Sequence, residues 1–218
     1  DMVRGNLRLV GHGSPIATHN KRYTPSTIEV PLKSWPFAMA GVFYLIYFQT
    51  DILLLNWLIS PEAAGIYNVS VTIMIGVYLI PNIIYGKYLL PKQHRWAEYD
   101  PDRLLAVYRY GCGVMTVFGL LICGILIPVS PGAITLIFGT GYSESGLLLM
   151  LLGVCVPFRF LAVCVGGLLV VQEHMRRKVI YMGSIAITNI ILNLVLIPRF
   201  SYYGAAVSTI ICEILLLV

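Results

Sequence analysis

Long apolar stretches dominate the chain from Trp35 onward, and short polar connections separate them. Six such stretches are present, with approximate bounds Trp35–Leu58, Ala63–Leu90, Leu105–Val129, Gly146–Val171, Val179–Pro198 and Gly204–Val218. The first five contain about 20 or more residues, which is the length that an α-helix needs to cross the hydrocarbon core of a bilayer. The pattern therefore predicts an all-α fold, an integral membrane bundle of about six transmembrane helices.

Composition supports this prediction. Hydrophobic residues make up 58% of the chain, charged residues only 11%, and the mean hydropathy is +0.81. A soluble domain of this size could not hide so much apolar surface behind so few charges. The bilayer is therefore expected to act as the solvent for most of the chain.

Basic residues fall on alternate connections and predict an orientation. They are Arg4, Arg8, Lys21, Arg22 and Lys33 before the first segment, Lys87, Lys92, Arg95, Arg103 and Arg109 around the second connection, and Arg176, Arg177 and Lys178 in the fourth. The opposite side carries only Arg199. By the positive-inside rule we expect the leading segment to be cytoplasmic. The expected location is the cell (plasma or inner) membrane. This asymmetry explains the net charge of +5 without a nucleic-acid partner.

The two ends of the chain indicate a fragment. Residues 1–34 are polar, contain several prolines and show no sustained period, so we expect a cytoplasmic linker or loop. The chain starts at Asp1 instead of Met, and its last segment is still apolar at Val218. Residues 35–218 are therefore expected to form a six-helix bundle that is truncated at both ends.

Prolines predict local breaks in the helices. Ser60-Pro61 has the composition of a helix N-terminus and predicts a tight hairpin between the first two spans. Pro81 and Pro157 lie inside spans and should kink them.

Motifs for catalysis or metal binding are weak, and we expect no enzyme, no cofactor and no metal. The cysteines lie in apolar spans without a CxxC pair, and the histidines lie in polar connections without spaced partners. Asp100-x-Asp102 resembles the DxD pair of metal-dependent glycosyltransferases. The intervening Pro101 favours a simpler interpretation, in which both acids mark the start of a helix.

Three ionisable residues inside the spans remain as candidates for function, namely Asp51, Arg159 and Glu213. A charge at mid-bilayer costs about 2.5–3.5 kcal/mol on insertion scales, so each should face a partner or a wet cavity. One interpretation is a structural Asp–Arg or Arg–Glu pair. The other is that Arg159 faces a central cavity and attracts an anion. Polar residues that could line that cavity, or form interhelical hydrogen bonds instead, are Gln49, Asn56, Asn82, Asn189 and Asn193.

Several motifs resemble the polysaccharide and O-antigen flippases of the multidrug/oligosaccharidyl-lipid/polysaccharide exporter superfamily. They are the runs 47–55 and 62–68, Pro81 with Pro91, Ile137-Phe138-Gly139 with Tyr142-Ser143, the run Asn189 to Pro198, and the runs 203–206 and 209–213. The resemblance covers about residues 31–218. Two positions depart from it. Gln49 stands where many relatives have Arg, and Ser201 where relatives often have Gly.

The resemblance implies that the chain is the second of two six-helix bundles around a central cavity. Such proteins are thought to move a polyprenyl-pyrophosphate-linked oligosaccharide from the inner to the outer leaflet by alternating access, for polysaccharide biosynthesis. Arg159, Asp51, Gln49, Asn189, Asn193 and Glu213 are then candidate substrate-binding residues. The expected partners are the lipid-linked oligosaccharide, membrane lipids and the missing N-terminal helical bundle, against which this half must move.

Two alternative functions stay open at this point. One keeps the fold and changes the cargo, as in a drug or ion antiporter of the same superfamily with Asp51 and Glu213 as cation or proton sites. The other is a non-transport membrane protein, either a scaffold or an integral glycosyltransferase that uses Asp100 and Asp102.

Overall fold

The computed structural model describes residues 29–171 and 175–217, and every regular element in those ranges is helical. The seven α-helices are α1 (Glu29–Leu58), α2 (Pro61–Asn82), α3 (Leu90–Tyr99), α4 (Pro101–Phe138), α5 (Ser143–Gly153), α6 (Cys155–Val171) and α7 (Met175–Leu215). A π-helix, Ile83–Leu89, joins α2 to α3, and a short 3₁₀ turn, Thr140–Tyr142, precedes α5. The fold is therefore all-α over the described residues.

The helices form a multi-pass membrane protein. Four helical stretches are long and apolar enough to cross a bilayer. They are Ser34–Leu58, Pro61–Ala97 (α2, the π-helix and most of α3), Asp102–Phe138 and Met175–Leu215. The pair Thr140–Gly153 and Cys155–Leu168, bent by 47° at its break, gives a fifth if it is counted as one span. Large apolar side chains such as Leu53, Val114 and Leu121 point outward, where lipid can cover them.

The prediction of six separate spans differs from these four or five. The predicted fourth span is broken between α5 and α6, and the predicted fifth and sixth spans lie within α7, a helical run with a break at Ser201. The break next to Val154 has a local cause. Pro157 has no N–H to donate to the carbonyl of Gly153 one turn earlier. The helical hydrogen-bond pattern is therefore interrupted there, as the proline predicts.

Helix α7 reverses direction at Ser201, whose φ of 51° and ψ of −135° are not helical. The Asn189 Nδ2 and Ser208 Oγ atoms are 3.2 Å apart although 19 residues separate them. A straight helix would place these residues about 28 Å apart. Residues 175–200, the first arm of α7, and residues 202–215, its second arm, therefore pack side by side.

Close contact between the two arms depends on Gly204. A Cβ atom at that position would lie 2.4 Å from the carbonyl oxygen of Leu196, which is far inside van der Waals contact. Glycine is thus required where the second arm leaves the reversal.

The start of the chain is only partly described. Residues 1–28 of the predicted linker lie outside the described residues. Helix α1 begins at Glu29, upstream of the predicted Trp35, so the last part of the predicted linker is helical. Residues 35–218 form one compact unit.

The centre of that unit is α2, which contacts α5, α6 and α7. Its buried face follows helical spacing and includes Tyr67, Val71, Met74 and Tyr78. Helix α2 begins as predicted, because the Ser60 hydroxyl accepts the N–H of Ala63 at 3.2 Å.

Two serines clasp α2 to α5. The Ser70 hydroxyl donates to the carbonyl of Ser145 at 2.8 Å, and the Ser145 hydroxyl donates to the carbonyl of Ile66 at 2.7 Å. Each side chain thus satisfies a hydrogen bond on the backbone of the other helix, which fixes the two helices against each other.

Candidate functional site

Asp51 lies buried on α1 and is held by hydrogen bonds from neutral groups. The Tyr67 and Thr209 hydroxyls both donate to its Oδ2 atom at 2.8 Å, and the Asn193 side-chain amide donates to Oδ1. These donors come from α2 and from both arms of α7. Asp51 pairs with no cation among the described residues, so the predicted Asp–Arg pair is replaced by a shell of oxygen and nitrogen donors.

Asn189 and Asn193 extend this shell along the first arm of α7. Their spacing places both on one face of the helix, and the Asn193 amide also donates to Asn189 Oδ1 at 3.1 Å. Asn189 in turn donates to the Ser208 hydroxyl on the second arm. Both side chains are fully buried, and Asn193 Oδ1 has no partner within the described ranges. Asp51, Tyr67, Asn189, Asn193, Ser208 and Thr209 are called the Asp51 cluster below.

Arg159 on α6 and Glu213 on α7 form a salt bridge, so the sequence expectation of an Arg–Glu pair is realised. The Tyr47 hydroxyl donates to the same Glu213 oxygen, Oε1, at 3.0 Å. Three aromatic rings surround the guanidinium, with centroids 5.5 Å (Tyr47), 5.3 Å (Phe48) and 5.2 Å (Tyr78) from its Cζ atom. Cation–π contacts of this length stabilise a positive charge that is removed from water.

The Arg159–Glu213 pair keeps unused bonding capacity. Arg159 Nε and Glu213 Oε2 are buried and have no hydrogen-bond partner among the described residues. A buried ion pair with unsatisfied atoms is poorly compensated for its lost hydration. The pair can therefore bind an additional polar group more readily than the fully bonded Asp51 carboxylate can.

Two cavities adjoin these residues. The larger has a volume of about 440 Å³ and is lined by parts of α1, the π-helix, α6 and α7, including Arg159. The smaller, of about 20 Å³, is lined by Asp51, Tyr67, Thr209 and Glu213 among others. Arg159 thus borders the larger cavity and Glu213 the smaller one, so the ion pair stands between them.

Gln49 lies apart from this group, and its expected role in substrate binding stays a prediction. It is exposed on α1, as is Asn56, whereas Asp51 and Tyr47 are buried. Two residues along a helix are rotated by about 200°, so Gln49 and Asp51 must face opposite sides of α1. Asn82 borders the larger cavity, and its amide donates to the Tyr78 carbonyl at 2.8 Å.

Several residues that complete the site were missed in the sequence. They are Tyr47, Tyr67, Tyr78, Thr209 and, beside the larger cavity, Lys178 and Gln93. The tyrosines carry a usable signal, because Tyr47 precedes Asp51 by one turn and Tyr67 shares a helical face with Tyr78. Thr209 and Gln93 carry no such signal in the sequence, because only the packing of helices distant in sequence brings them to the site.

The Asp100-x-Asp102 pair lies apart from the site at the start of α4. Asp100 caps that helix, accepting the Arg103 N–H at 3.1 Å, and Asp102 lies in its first turn. This is the predicted helix start. No group of three His, Cys, Asp or Glu side chains that could hold a metal ion occurs in the part of the chain that the structure describes.

Comparison with family models, with curated proteins and with solved structures finds no match to this chain.

Proposed function

We propose that this chain is the C-terminal half of a flippase that moves a polyprenyl-pyrophosphate-linked oligosaccharide from the inner to the outer leaflet. The observation that supports this most directly is the Arg159–Glu213 pair, a buried charge pair with unused bonding capacity at the wall of a 440 Å³ cavity. A buried ionisable residue beside a cavity within a membrane bundle is typical of a substrate pathway. The proposed cargo follows from the family resemblance of the sequence.

The proposed role of Arg159 is to exchange counter-ions. With the cavity empty, Glu213 compensates the guanidinium. An incoming diphosphate carries more negative charge than one carboxylate and can accept the unused Nε–H, so it competes with Glu213 for Arg159. Sugars would then meet polar side chains while the polyprenyl tail stays in lipid. No catalytic step and no cofactor belong to this proposal.

The proposed topology counts the two arms of α7 as separate crossings. The side-by-side packing of Asn189 and Ser208 supports this, because the chain must reverse between them. With α5 and α6 as one bent span, the bundle then has six crossings. We expect the N-terminal segment in the cytoplasm, because the basic connections lie on that side. The proposed location in the inner membrane follows from the family resemblance. A second bundle, upstream in the same protein, would supply the surface against which this one rocks.

The role of Arg159 is tested by charge reversal in the complete protein. We expect Arg159→Glu to abolish export of surface polysaccharide, because the cavity wall would then carry a carboxylate next to Glu213 and would repel an anionic ligand. The matched control is Arg199→Glu, which reverses an exposed charge at the turn of α7 and should leave export intact. Normal export by Arg159→Glu, at normal protein levels, would remove this residue from the mechanism.

A cation-coupled antiporter is a second candidate, and the Asp51 cluster favours it. Asp51 is a buried carboxylate that has no cationic partner among the described residues. It lies next to two hydroxyl groups and to Asn193, whose Oδ1 atom has no partner there, and such a group suits a monovalent cation or a proton. The test compares the melting temperature of the purified chain in sodium chloride and in choline chloride. Stabilisation by sodium that Asp51→Asn removes would support ion binding, whereas equal melting temperatures in both salts would count against a sodium site.

A further inference from the structure

Helix α3 connects two membrane-spanning stretches on the basic side of the chain. The preceding stretch is mostly apolar up to Leu90, and the apolar sequence resumes at Leu104 in α4. The polar residues between these two points therefore lie at the membrane boundary. At about 1.5 Å per residue, Lys92 and Arg95 are about 3 Å and 8 Å beyond Leu90, which is the depth of the lipid headgroups.

One side of α3 packs against the protein. The helix contacts α4 and α6, and its Gln93 side chain is fully buried. The Arg103 guanidinium lies over the Trp96 ring, with its Cζ atom 5.1 Å from the ring centroid, and this contact joins α3 to the start of α4. The rotation of α3 about its own axis is therefore fixed, and so is the side that it presents outward.

The outward side combines two cations with two aromatic rings. Four residues recur at helical spacing along it, namely Tyr88, Lys92, Arg95 and Trp96, and they are called the Lys92 face below. Lys92 and Arg95 are exposed, Trp96 is half-buried, and Tyr88 is 68% exposed. Tyrosine and tryptophan are the residues that membrane proteins place at the headgroup level.

The charge of the Lys92 face is positive. Residues 63–97 contain Lys87, Lys92 and Arg95 and no Asp or Glu, and the only acid in the sequence of α3 is Glu98. Neither Lys92 nor Arg95 forms a salt bridge with a carboxylate whose side chain the structure describes. Each Lys or Arg within a Debye length of an anionic membrane surface is attracted to it. The charge and the aromatic rings therefore match the same surface.

We propose that the Lys92 face binds the headgroups of anionic glycerophospholipids in the leaflet that α3 adjoins. Lys92 and Arg95 contact the phosphates, while Trp96 and Tyr88 lie between the headgroups and the acyl chains. An acidic soluble protein would match the charge, but it would not explain aromatic side chains at the membrane boundary. None of the four residues lines the larger cavity, and the proposal does not depend on flippase activity.

Tryptophan quenching in lipid vesicles tests this contact. The purified chain carries Trp35→Phe and Trp57→Phe, so that Trp96 is its only tryptophan. The vesicles contain dioleoylphosphatidylcholine and dioleoylphosphatidylglycerol, and one of the two lipids is brominated near the carbonyl end of an acyl chain. We expect phosphatidylglycerol to be preferred next to Trp96 by about five-fold, because two cations face the headgroups. High salt should reduce the preference to less than about two-fold.

Charge variants in the same background identify the residues responsible. Lys92→Gln/Arg95→Gln should reduce the preference to less than about two-fold, whereas Lys92→Arg/Arg95→Lys keeps both charges and should retain it. The matched control is Arg176→Gln/Arg177→Gln, which removes two exposed cations at the start of α7 and should leave the preference unchanged.

Three results would overturn the proposal. Absence of quenching by either brominated lipid would place Trp96 away from lipid and would favour a soluble partner for the Lys92 face. Equal quenching by the two lipids would mean that the contact does not select anionic headgroups. An equal loss of preference in both glutamine double variants would mean that the charge acts diffusely. The comparison of the two lipids needs no charge variant, so it decides the question even if one variant does not fold.

Discussion

The Asp51 cluster and the Arg159–Glu213 pair keep charge inside the same bundle by different means. Asp51 is stabilised by three neutral donors from α2 and α7, and both of its oxygens are bonded. Arg159 and Glu213 compensate each other, yet each leaves an atom without a partner and Arg159 borders a cavity. A fully bonded charge is fixed in place, whereas a pair with unused capacity can exchange partners. The difference supports a structural role for the first region and the ligand exchange that we propose for the second.

The largest effect is expected from breaking the ion pair on one side. Arg159→Met leaves Glu213 buried without its counter-ion and should destabilise the chain by about 3–5 kcal/mol. The double variant Arg159→Met/Glu213→Met removes both charges and should recover most of that loss. Reversible unfolding in detergent measures the stability of the unmodified chain and of both variants. A double variant as unstable as the single one would show that the pair is not coupled.

A smaller effect is expected from removing one donor of Asp51. Tyr67→Phe deletes a hydrogen bond to a buried carboxylate and should cost about 1.5–3 kcal/mol in the same unfolding measurement. Tyr110→Phe is the matched control, because that tyrosine is 78% exposed. It should change stability by less than about 0.5 kcal/mol. Similar losses for both variants would mean that the Tyr67 hydroxyl does not hold Asp51.

The corresponding change at the ion pair should cost less. Tyr47→Phe removes a donor from Glu213 Oε1, but Arg159 still binds the same oxygen, so we expect about 0.5–1.5 kcal/mol. The comparison of Tyr47→Phe with Tyr67→Phe therefore measures how far each carboxylate depends on neutral donors. A larger loss for Tyr47→Phe would reverse the assignment of the two regions.

The smallest effect is expected at Ser201, where α7 reverses direction. Ser201 has a φ of 51°, a value that glycine adopts more readily than serine. Ser201→Gly should therefore stabilise the chain by up to about 1 kcal/mol, visible as a small rise in melting temperature. Ser201→Val, which is stiffer at this φ, should lower it. A fall with glycine would indicate that the serine side chain contributes more than the backbone strain costs.

The sequence predicts the helical membrane fold because long apolar runs leave few alternatives. It also predicts the Ser60 and Asp100 helix starts and the break near Pro157, since each depends on neighbouring residues. The number of separate helices depends on tertiary packing as well as on neighbouring residues. The residues around Ser201 do not by themselves distinguish a reversal between two helices from a kink in one helix.

The site was predicted in part for a similar reason. Helical spacing puts Asn189 and Asn193 on one face, and the rarity of charge in the spans selects Asp51, Arg159 and Glu213. Which charge pairs with which depends on the packing of helices distant in sequence. The angle between Gln49 and Asp51 on a helix already predicts that these two side chains face opposite sides of α1. Lys178 could not have been separated from Arg176 and Arg177, because its burial arises only from the packing of α6 and α7.

The serine clasp between α2 and α5 has a mechanical consequence. Those two helices share hydrogen bonds in both directions, while the chain bends by 47° directly after α5. Arg159 lies beyond that bend and Tyr67 lies on the clasped side. Any flexing at the joint therefore moves the guanidinium relative to Tyr67, and leaves the α2–α5 frame at rest.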